Sequence, residues 1–242
     1  MTKRPVIIAT LVVLVGLNAY QCVNQGSAVP QLSEREIIEQ FHLSFGAVSK
    51  NQWYGIPTWQ NPLDVWITQE IMFETKPDFV VECGTFRGGS AILWAAILKN
   101  ITLGGRIITI DIKDTRNPLA KVHPLAAERV EFLLGSSTDP KIVAEVKRRV
   151  KGKKVLLILD SLHTRDHVLN ELNSYWDIVD VGSYILVQDT AVNGHPIAPD
   201  YGPGPWEAVE DFLEVNKNFE IDKSRERFGL TNNPSGFLKR VR

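Results

Sequence analysis

A short apolar run that ends in an acid and a cluster of glycines constrains this chain more than any other feature. Residues 79–83 are mostly apolar, Glu82 interrupts them near their end, and three glycines follow within the next six positions. An amphipathic run over 91–98 comes next and predicts a helix. The pattern therefore predicts a strand, a tight turn and a helix N-terminus, where a ligand can approach bare backbone and free N–H groups.

Three classes of cofactor bind at a turn of this kind, and its details discriminate between them. A P-loop for ATP or GTP needs a lysine after its last glycine, but Ser90 directly follows Gly89. A dinucleotide turn needs Gly-x-Gly-x-x-Gly, which the spacing of Gly84, Gly88 and Gly89 fits poorly. S-adenosylmethionine carries a cationic sulfonium and no phosphate, so a carboxylate such as Glu82 suits it. An ordinary α/β turn without a ligand is the remaining alternative.

A second predicted strand, over 105–111, also ends in an acid. That acid is Asp111, and a carboxylate in this position can accept both hydroxyl groups of a ribose. Because the glycine turn and the acid occur together, the sequence favours a nucleoside-bearing cofactor over a turn that binds nothing.

Strands and helices alternate along the rest of the chain. Further strands are predicted over 130–134, 155–159, 183–187, 219–221 and 236–240, and helices over 62–73, 142–150, 164–176 and 205–215. Ser33 and Glu36 have the spacing of a capping box at the start of an earlier helix. Nearly continuous apolar strands indicate a parallel sheet that is covered on both faces. We therefore predict an α/β fold, with a Rossmann-like, doubly wound, mostly parallel sheet of seven strands.

Two further acids come just after predicted strands. Asp160 follows the strand over 155–159, and Asp189 follows the strand over 183–187. Neighbouring parallel strands end at one edge of the sheet, so the two carboxylates would repel each other unless a cation or a proton lies between them. Oxygen ligands suit Mg²⁺. The alternative is that both acids are turn residues or helix caps.

Five stretches of the chain resemble the cephalosporin hydroxylase family. Despite its name, that family consists largely of class I S-adenosylmethionine-dependent O-methyltransferases, including rhamnosyl O-methyltransferases. The resemblance extends over about residues 50–242 and implies this fold, this cofactor and transfer of a methyl group to a hydroxyl, but not a particular acceptor. The stretches are 54–66, 82–90, 159–163, 188–196 and 231–238.

The predicted cofactor-binding residues lie at the glycine turn and after the next two strands. They are Glu82, Gly84, Thr85, Gly88, Gly89, Ser90, Asp111, Gly135 and Ser136. Glu82, Gly84 and Ser90 would hold the amino-acid end of the cofactor, Asp111 the ribose, and Gly135 with Ser136 would lie on the adenine side. The resemblance further implies a metal site. Asp160 and Asp189 match ligands of a divalent metal, and Gln188 stands where the family usually has a glutamate. A glutamine still offers a carbonyl oxygen, but the lost charge should weaken the binding of Mg²⁺.

Three histidines are candidates for proton transfer. The hydroxyl acceptor has a pKa far above 7, so methyl transfer needs a general base or a metal that acidifies the hydroxyl. His163, three residues beyond Asp160, is predicted as the catalytic base or a neighbour of the metal. His167 is predicted to face solvent or to cap a helix, and His195 lies on a loop that could contact the acceptor. His163 and His167 have a spacing that could bind zinc, but no third histidine or cysteine ligand is nearby. Zinc is therefore disfavoured.

Composition agrees with one soluble domain. With 242 residues, of which 44% are hydrophobic and 23% charged, the chain can bury one sizeable core. The net charge of −1 gives no basic footprint for nucleic acid. Two cysteines exclude a disulfide framework, and Cys83 is predicted as a small core residue. The expected partner is a small-molecule or carbohydrate hydroxyl acceptor, and assembly into a homo-oligomer stays open.

The N-terminus has the pattern of a targeting segment. Lys3 and Arg4 precede an apolar run over 6–17, and no further charge occurs before Glu34. This run fits a signal peptide cleaved after Ala28, or a short membrane anchor, better than a full bilayer span. We expect a location at a membrane, its cytoplasmic face included, or in the secretory pathway. The expected parts are a signal peptide or anchor (1–28), a linker with helices (29–76) and the methyltransferase domain (77–242).

Two segments are predicted to close the site. The loop over 196–205 is rich in proline and glycine, and would form a wall for the acceptor or a lid. Trp53, Tyr54 and Trp59 precede the first predicted strand and could close the opposite side. Two other functions stay open. One is an NAD-dependent oxidoreductase, disfavoured by the glycine spacing, and the other is a non-catalytic, membrane-tethered binding protein, which Gln188 makes conceivable.

Overall fold

The computed structural model describes residues 33–43 and 50–242. Helix α1 (Glu34–Leu43) opens the described part. The backbone N–H of Ser33 donates to Glu36 Oε2 at 2.7 Å, and the N–H of Glu36 donates back to Ser33 Oγ at 3.3 Å. The predicted capping box is therefore confirmed. The compact unit that holds the sheet runs from Ile38 to Arg242.

A short hairpin precedes the main sheet. Its strands, β1 (Gln52–Trp53) and β2 (Ile56–Pro57), are antiparallel. The strands of the main sheet are β3 (Phe79–Cys83), β4 (Arg106–Asp111), β5 (Val130–Leu134), β6 (Val155–Leu159), β7 (Tyr184–Val187), β8 (Phe219–Ile221) and β9 (Phe237–Arg240). They lie in the order β5-β4-β3-β6-β7-β9-β8, and only β9 runs antiparallel to its neighbours. The predicted mostly parallel sheet of seven strands is confirmed.

Helices cover both faces of this sheet. They are α2 (Pro62–Thr75), α3 (Gly89–Lys99), α4 (Pro118–Val122), α5 (Pro124–Arg129), α6 (Pro140–Val150), α7 (Arg165–Tyr175) and α8 (Pro205–Val215). Successive residues of β3 point to opposite faces. Val80 packs with α2 and α3, and Val81 packs with α6, α7 and α8. All five residues of β6 are buried, which explains its continuous apolar sequence.

Two helices and a few boundaries differ from the predictions. Helices α4 and α5 are absent from the predicted elements, although Pro118 and Pro124 each occupy the first turn behind a capping side chain. Helix α6 begins at Pro140, two residues before its predicted start, because Asp139 caps it. Among the helices that the structure describes, none is both long and apolar enough to cross a bilayer. The predicted targeting segment over 1–28 lies outside the described residues.

Candidate active site

The glycine turn brings the ends of two neighbouring strands together. Gly84 has a φ of +101°, and a β-carbon there would overlap the carbonyl oxygen of Asp160 at the end of β6. A β-carbon at Gly89 would overlap Thr58 and the carbonyl oxygen of Pro57. Glycine is therefore required at both positions. A side chain at Gly84 would push the end of β3 away from that of β6, and one at Gly89 would push the first turn of α3 away from Pro57 and Thr58.

Glu82 lies beneath this turn rather than on a cavity wall. Its side chain is 0% exposed, and its carboxylate accepts hydrogen bonds from Trp94 Nε1 at 2.9 Å and from Thr109 Oγ1 at 2.6 Å. Burial raises the pKa of Glu82 to about 7, against the hydrogen bonds that favour the charged form. Ser90 also hydrogen-bonds to Glu82 and lines the cavity, so it connects this buried acid to the space above the turn.

Asp111 lies at the end of β4, beside the glycine turn. Its Oδ2 accepts the N–H of Phe86 at 2.8 Å, and its Oδ1 accepts the N–H of Lys113 at 3.1 Å. The N–H of Gly135 donates to the backbone carbonyl of Asp111 at 2.8 Å. Gly135, and Ser136 after it, therefore lie at the same edge of the sheet as Asp111. Each carboxylate oxygen keeps a lone pair that can accept a hydroxyl group.

A cavity of about 230 Å³ opens at the carboxyl ends of β3 and β6. Seven of the predicted site residues line it. They are Gly84, Thr85, Gly89, Ser90, Asp160, His163 and Asp189. Glu82, Gly88, Asp111, Gly135, Ser136 and Gln188 are not among its lining residues. The structure therefore joins the glycine turn in one cavity with Asp160, His163 and Asp189, which form an acidic rim. The predicted ribose residue, Asp111, and the predicted adenine residues, Gly135 and Ser136, do not line this cavity.

The acidic rim has the geometry of a cation site. His163 Nε2 lies 3.2 Å from Asp189 Oδ2 and 3.8 Å from Asp160 Oδ1. One ligand atom from each of the three residues lies within 4.8 Å of the others. Burial, and then the charge of Asp189, raise the pKa of Asp160 well above its usual range. A divalent cation between these oxygens would offset both effects, so the residues present fit Mg²⁺.

Comparison with known proteins assigns the chain to a family. Residues 46–241 match the family model described as Rhamnosyl O-methyltransferase/CmcI. A protein of Mycobacterium tuberculosis named Rhamnosyl O-methyltransferase is 38% identical over 198 residues, which cover 79% of each chain. The chain belongs to this family. The predicted resemblance is therefore confirmed.

Other members of the rhamnosyl O-methyltransferase/CmcI family extend the match. The protein of the same name from Mycobacterium leprae is 32% identical over 226 residues, which cover 91% of this chain and 96% of the relative. A structure of CmcI described as Mg-SAM has a TM-score of 0.62 at 18% identity and covers 80% of this chain and 78% of its own. An apo-structure of CmcI has a TM-score of 0.61 at 19% identity, over 80% and 77% of the two chains. These likenesses confirm the predicted fold.

His167 and His195 do not line the cavity of this family member. His167 Nε2 lies 3.1 Å from Ser161 Oγ and 3.3 Å from the buried carboxylate of Glu171, and this carboxylate raises the pKa of His167. His195 stacks on Trp206 with ring centroids 4.3 Å apart, and its Nε2 lies 3.1 Å from Glu207 Oε1. His163 is thus the histidine that lines the cavity in the described part of the chain.

Seven lining residues are absent from the predicted cofactor, metal and catalytic residues. They are Pro57, Thr58, Trp59, Gln60, Phe86, Arg87 and Ser161. Gln60 Nε2 donates to Asp160 Oδ2 at 2.9 Å, across 100 positions of sequence. Trp59 and Arg87 also line the cavity, and the ring of Trp59 lies 4.7 Å from that of Phe86. Trp59 is among the aromatic residues predicted to close the site. The family resemblance over 54–66 marks the segment that holds Gln60, but no local pattern assigns Gln60 to a contact with Asp160.

Proposed function

We propose that this chain transfers the methyl group of S-adenosylmethionine to a hydroxyl oxygen with the assistance of a divalent metal, Mg²⁺. The observation that carries this proposal is the convergence of the glycine turn with Asp160, His163 and Asp189 on one cavity. The cofactor, the metal and the reaction are those that the sequence predicts. The family match supports them over an oxidoreductase or a non-catalytic binding protein.

The residues of the cavity would divide the chemistry between them. The glycine turn and Ser90 would hold the amino-acid end of the cofactor, and Asp111 its ribose. His163 would accept the proton of the acceptor hydroxyl, because its Nε2 faces the cavity beside both acids. When bound at Asp160 and Asp189, Mg²⁺ would lower the pKa of that hydroxyl. Holding the oxygen in line with the methyl group supplies the rest of the rate enhancement.

A sugar hydroxyl is the acceptor that the chain fits best. The curated relatives are named rhamnosyl O-methyltransferases. In this chain Trp59 lines the cavity and is 51% exposed, with Phe86 packed against it. An exposed aromatic face suits the C–H face of a sugar ring, which supports a rhamnosyl group as the substrate.

We further propose that residues 1–28 direct the enzyme to a membrane or to the secretory pathway. The support is the basic start followed by the apolar run over 6–17. Because the glycine turn and the acidic rim all lie beyond residue 80, this segment would determine location and leave the chemistry unchanged.

A methyl-transfer assay tests the proposed function. The full chain is incubated with methyl-labelled S-adenosylmethionine and an alkyl α-L-rhamnoside, with EDTA or with added Mg²⁺. We expect label in the rhamnoside, its loss with EDTA and its return with Mg²⁺. Asp160→Asn should abolish transfer, whereas Asp166→Asn, a matched change at an exposed acid of the next helix, should not. Transfer that is indifferent to EDTA and to Asp160→Asn would contradict metal assistance.

A further inference from the structure

Asp189 points its carboxylate into the cavity from a strained backbone. Its φ is +55°, in the left-handed region that residues other than glycine enter at a cost of about 1 kcal/mol. The same conformation brings Oδ2 within 3.2 Å of His163 Nε2. Such a conformation persists only when neighbouring groups hold it, so the contacts of the Asp189 backbone matter for the rim.

Asn233 makes the contact that holds this backbone. Its Oδ1 accepts the N–H of Asp189 at 2.9 Å, and its side chain is buried, with the residue 5% exposed. Asn233 lies in the loop that precedes β9, 44 positions away in sequence. Two further hydrogen bonds join the same segments. The hydroxyl of Thr190 donates to the carbonyl oxygen of Pro234, and the N–H of Ala191 donates to the carbonyl oxygen of Asn232.

A relay of hydrogen bonds ties Asn233 to the N-terminus of α2. The N–H of Asn233 donates to Thr231 Oγ1 at 2.9 Å, and this hydroxyl donates to Asp64 Oδ1 at 2.6 Å. Asp64 Oδ2 accepts the N–H of Asn232 at 2.9 Å. Asp64 is 4% exposed and lies in the first turn of α2, a helix whose Ile67 is part of the core. The relay therefore connects Asp189 to a rigid element.

We propose that Asn233 is a positioning residue that aims Asp189 at the metal through the hydrogen bond to its main-chain N–H. The inference rests on the proposed metal-assisted function. Without the amide oxygen, the N–H of Asp189 loses its acceptor, and only the bonds at Thr190 and Ala191 still join the two segments. The backbone then relaxes and carries the carboxylate away from His163 and Asp160. The glycine turn is not part of the relay, so binding of the cofactor is expected to remain.

Metal titration of the full chain tests this role without using activity. Binding of Mg²⁺ and of S-adenosylmethionine is measured by calorimetry for the unmodified protein and for Asn233→Ala. Asn232→Ala is the matched control, because Asn232 is equally buried in the same loop and its side chain contacts Asn61 instead of Asp189. Thr231→Val tests the next link of the relay and serves if Asn233→Ala does not fold.

We expect the dissociation constant for Mg²⁺ to rise about tenfold in Asn233→Ala and about threefold in Thr231→Val. In Asn232→Ala it should stay within about twofold of the unmodified protein, as should the S-adenosylmethionine constants of all three variants. Equal Mg²⁺ affinity in Asn233→Ala and Asn232→Ala overturns the positioning role and leaves the proposed function intact. If Asn233→Ala is unfolded, equal Mg²⁺ affinity in Thr231→Val and Asn232→Ala overturns the positioning role instead. An unmodified protein that binds S-adenosylmethionine but no Mg²⁺ overturns metal assistance, and this inference with it.

Discussion

At the scale of single residues, two acids in neighbouring strands have opposite surroundings. Glu82 is buried, and its carboxylate accepts hydrogen bonds from the side chains of Trp94 and Thr109. Asp111 lies beside the glycine turn, and its carboxylate accepts two hydrogen bonds from backbone N–H groups. The buried acid supports the turn from below, and the accessible one can contact a ligand. Substitutions at the two positions should therefore affect different measurements.

Replacing Asp111 should weaken the binding of S-adenosylmethionine. Asp111→Ala removes a carboxylate that can accept the ribose hydroxyls, a loss of about 1.5–3 kcal/mol. Asp111→Asn keeps one acceptor oxygen and should lose less. Calorimetric titration of both variants checks the order, with circular dichroism as the control for folding. Unchanged affinity in folded Asp111→Ala would remove this residue from the site.

Replacing Glu82 should flatten the dependence of stability on pH. The folded protein keeps the Glu82 proton up to about pH 7, while the unfolded chain releases it near 4.5. Between these two pKa values the folded state binds more protons than the unfolded state. The protonated Glu82 therefore contributes about 3 kcal/mol to the free energy of unfolding below the unfolded pKa. This contribution is lost as the pH rises through the folded pKa of about 7.

Thermal unfolding of the unmodified chain and of Glu82→Gln, from about pH 4 to about pH 8, checks this contribution. The glutamine can still accept from Trp94 and donate to Thr109. Asp64, whose pKa is also raised to about 7 by burial, remains in the variant and retains part of the slope. Parallel pH profiles for the two proteins would show that Glu82 is charged in the folded state.

Some residues of the site could be predicted from sequence and others could not. Asp160, His163 and Asp189 could be predicted, because parallel strands deliver the residues that follow them to one edge. Gln60 and Asn233 could not, because their contacts cross 100 and 44 positions and depend on how loops pack. His195 follows a strand-end acid on a loop, as His163 does at closer spacing, yet Trp206 and Glu207 hold it outside the cavity.

At the scale of elements, the glycine turn is the most constrained connection of the site. Gly84→Ala places a methyl group against the carbonyl of Asp160 and also strains a backbone with a φ of +101°. We expect a loss of about 3–5 kcal/mol in the free energy of unfolding, because backbone on both strands must move. Gly104→Ala is the matched control, since a β-carbon there meets no atom within 4 Å.

Chemical denaturation of Gly84→Ala and Gly104→Ala measures this difference. Equal stability of the two variants would mean that the ends of β3 and β6 are farther apart than the structure has them. The positions of β3, β4, β6 and β7 were predictable because each is a mostly apolar run with an acid at or just after its end. Helices α4 and α5 were not, because each is shorter than two full turns and shows no apolar period.

At the scale of the whole molecule, the N-terminal segment should be separable from the chemistry. Deletion of residues 1–28 should leave binding of S-adenosylmethionine unchanged, because the site lies within the compact unit from Ile38 to Arg242. The full chain should fractionate with membranes or become shortened by cleavage. Fractionation and mass spectrometry of both forms check this; a full chain that is uncleaved and wholly soluble would contradict the targeting role.

Binding of S-adenosylmethionine beside a divalent metal is the property on which the proposed function depends. It is measured by titration of the full chain with S-adenosylmethionine, NAD and ATP in separate runs, each with and without Mg²⁺. We expect saturable binding of S-adenosylmethionine at one site per chain, Mg²⁺ binding that Asp160→Asn abolishes, and no binding of NAD or ATP. Binding of NAD or ATP in place of S-adenosylmethionine would show that the site belongs to another class of cofactor.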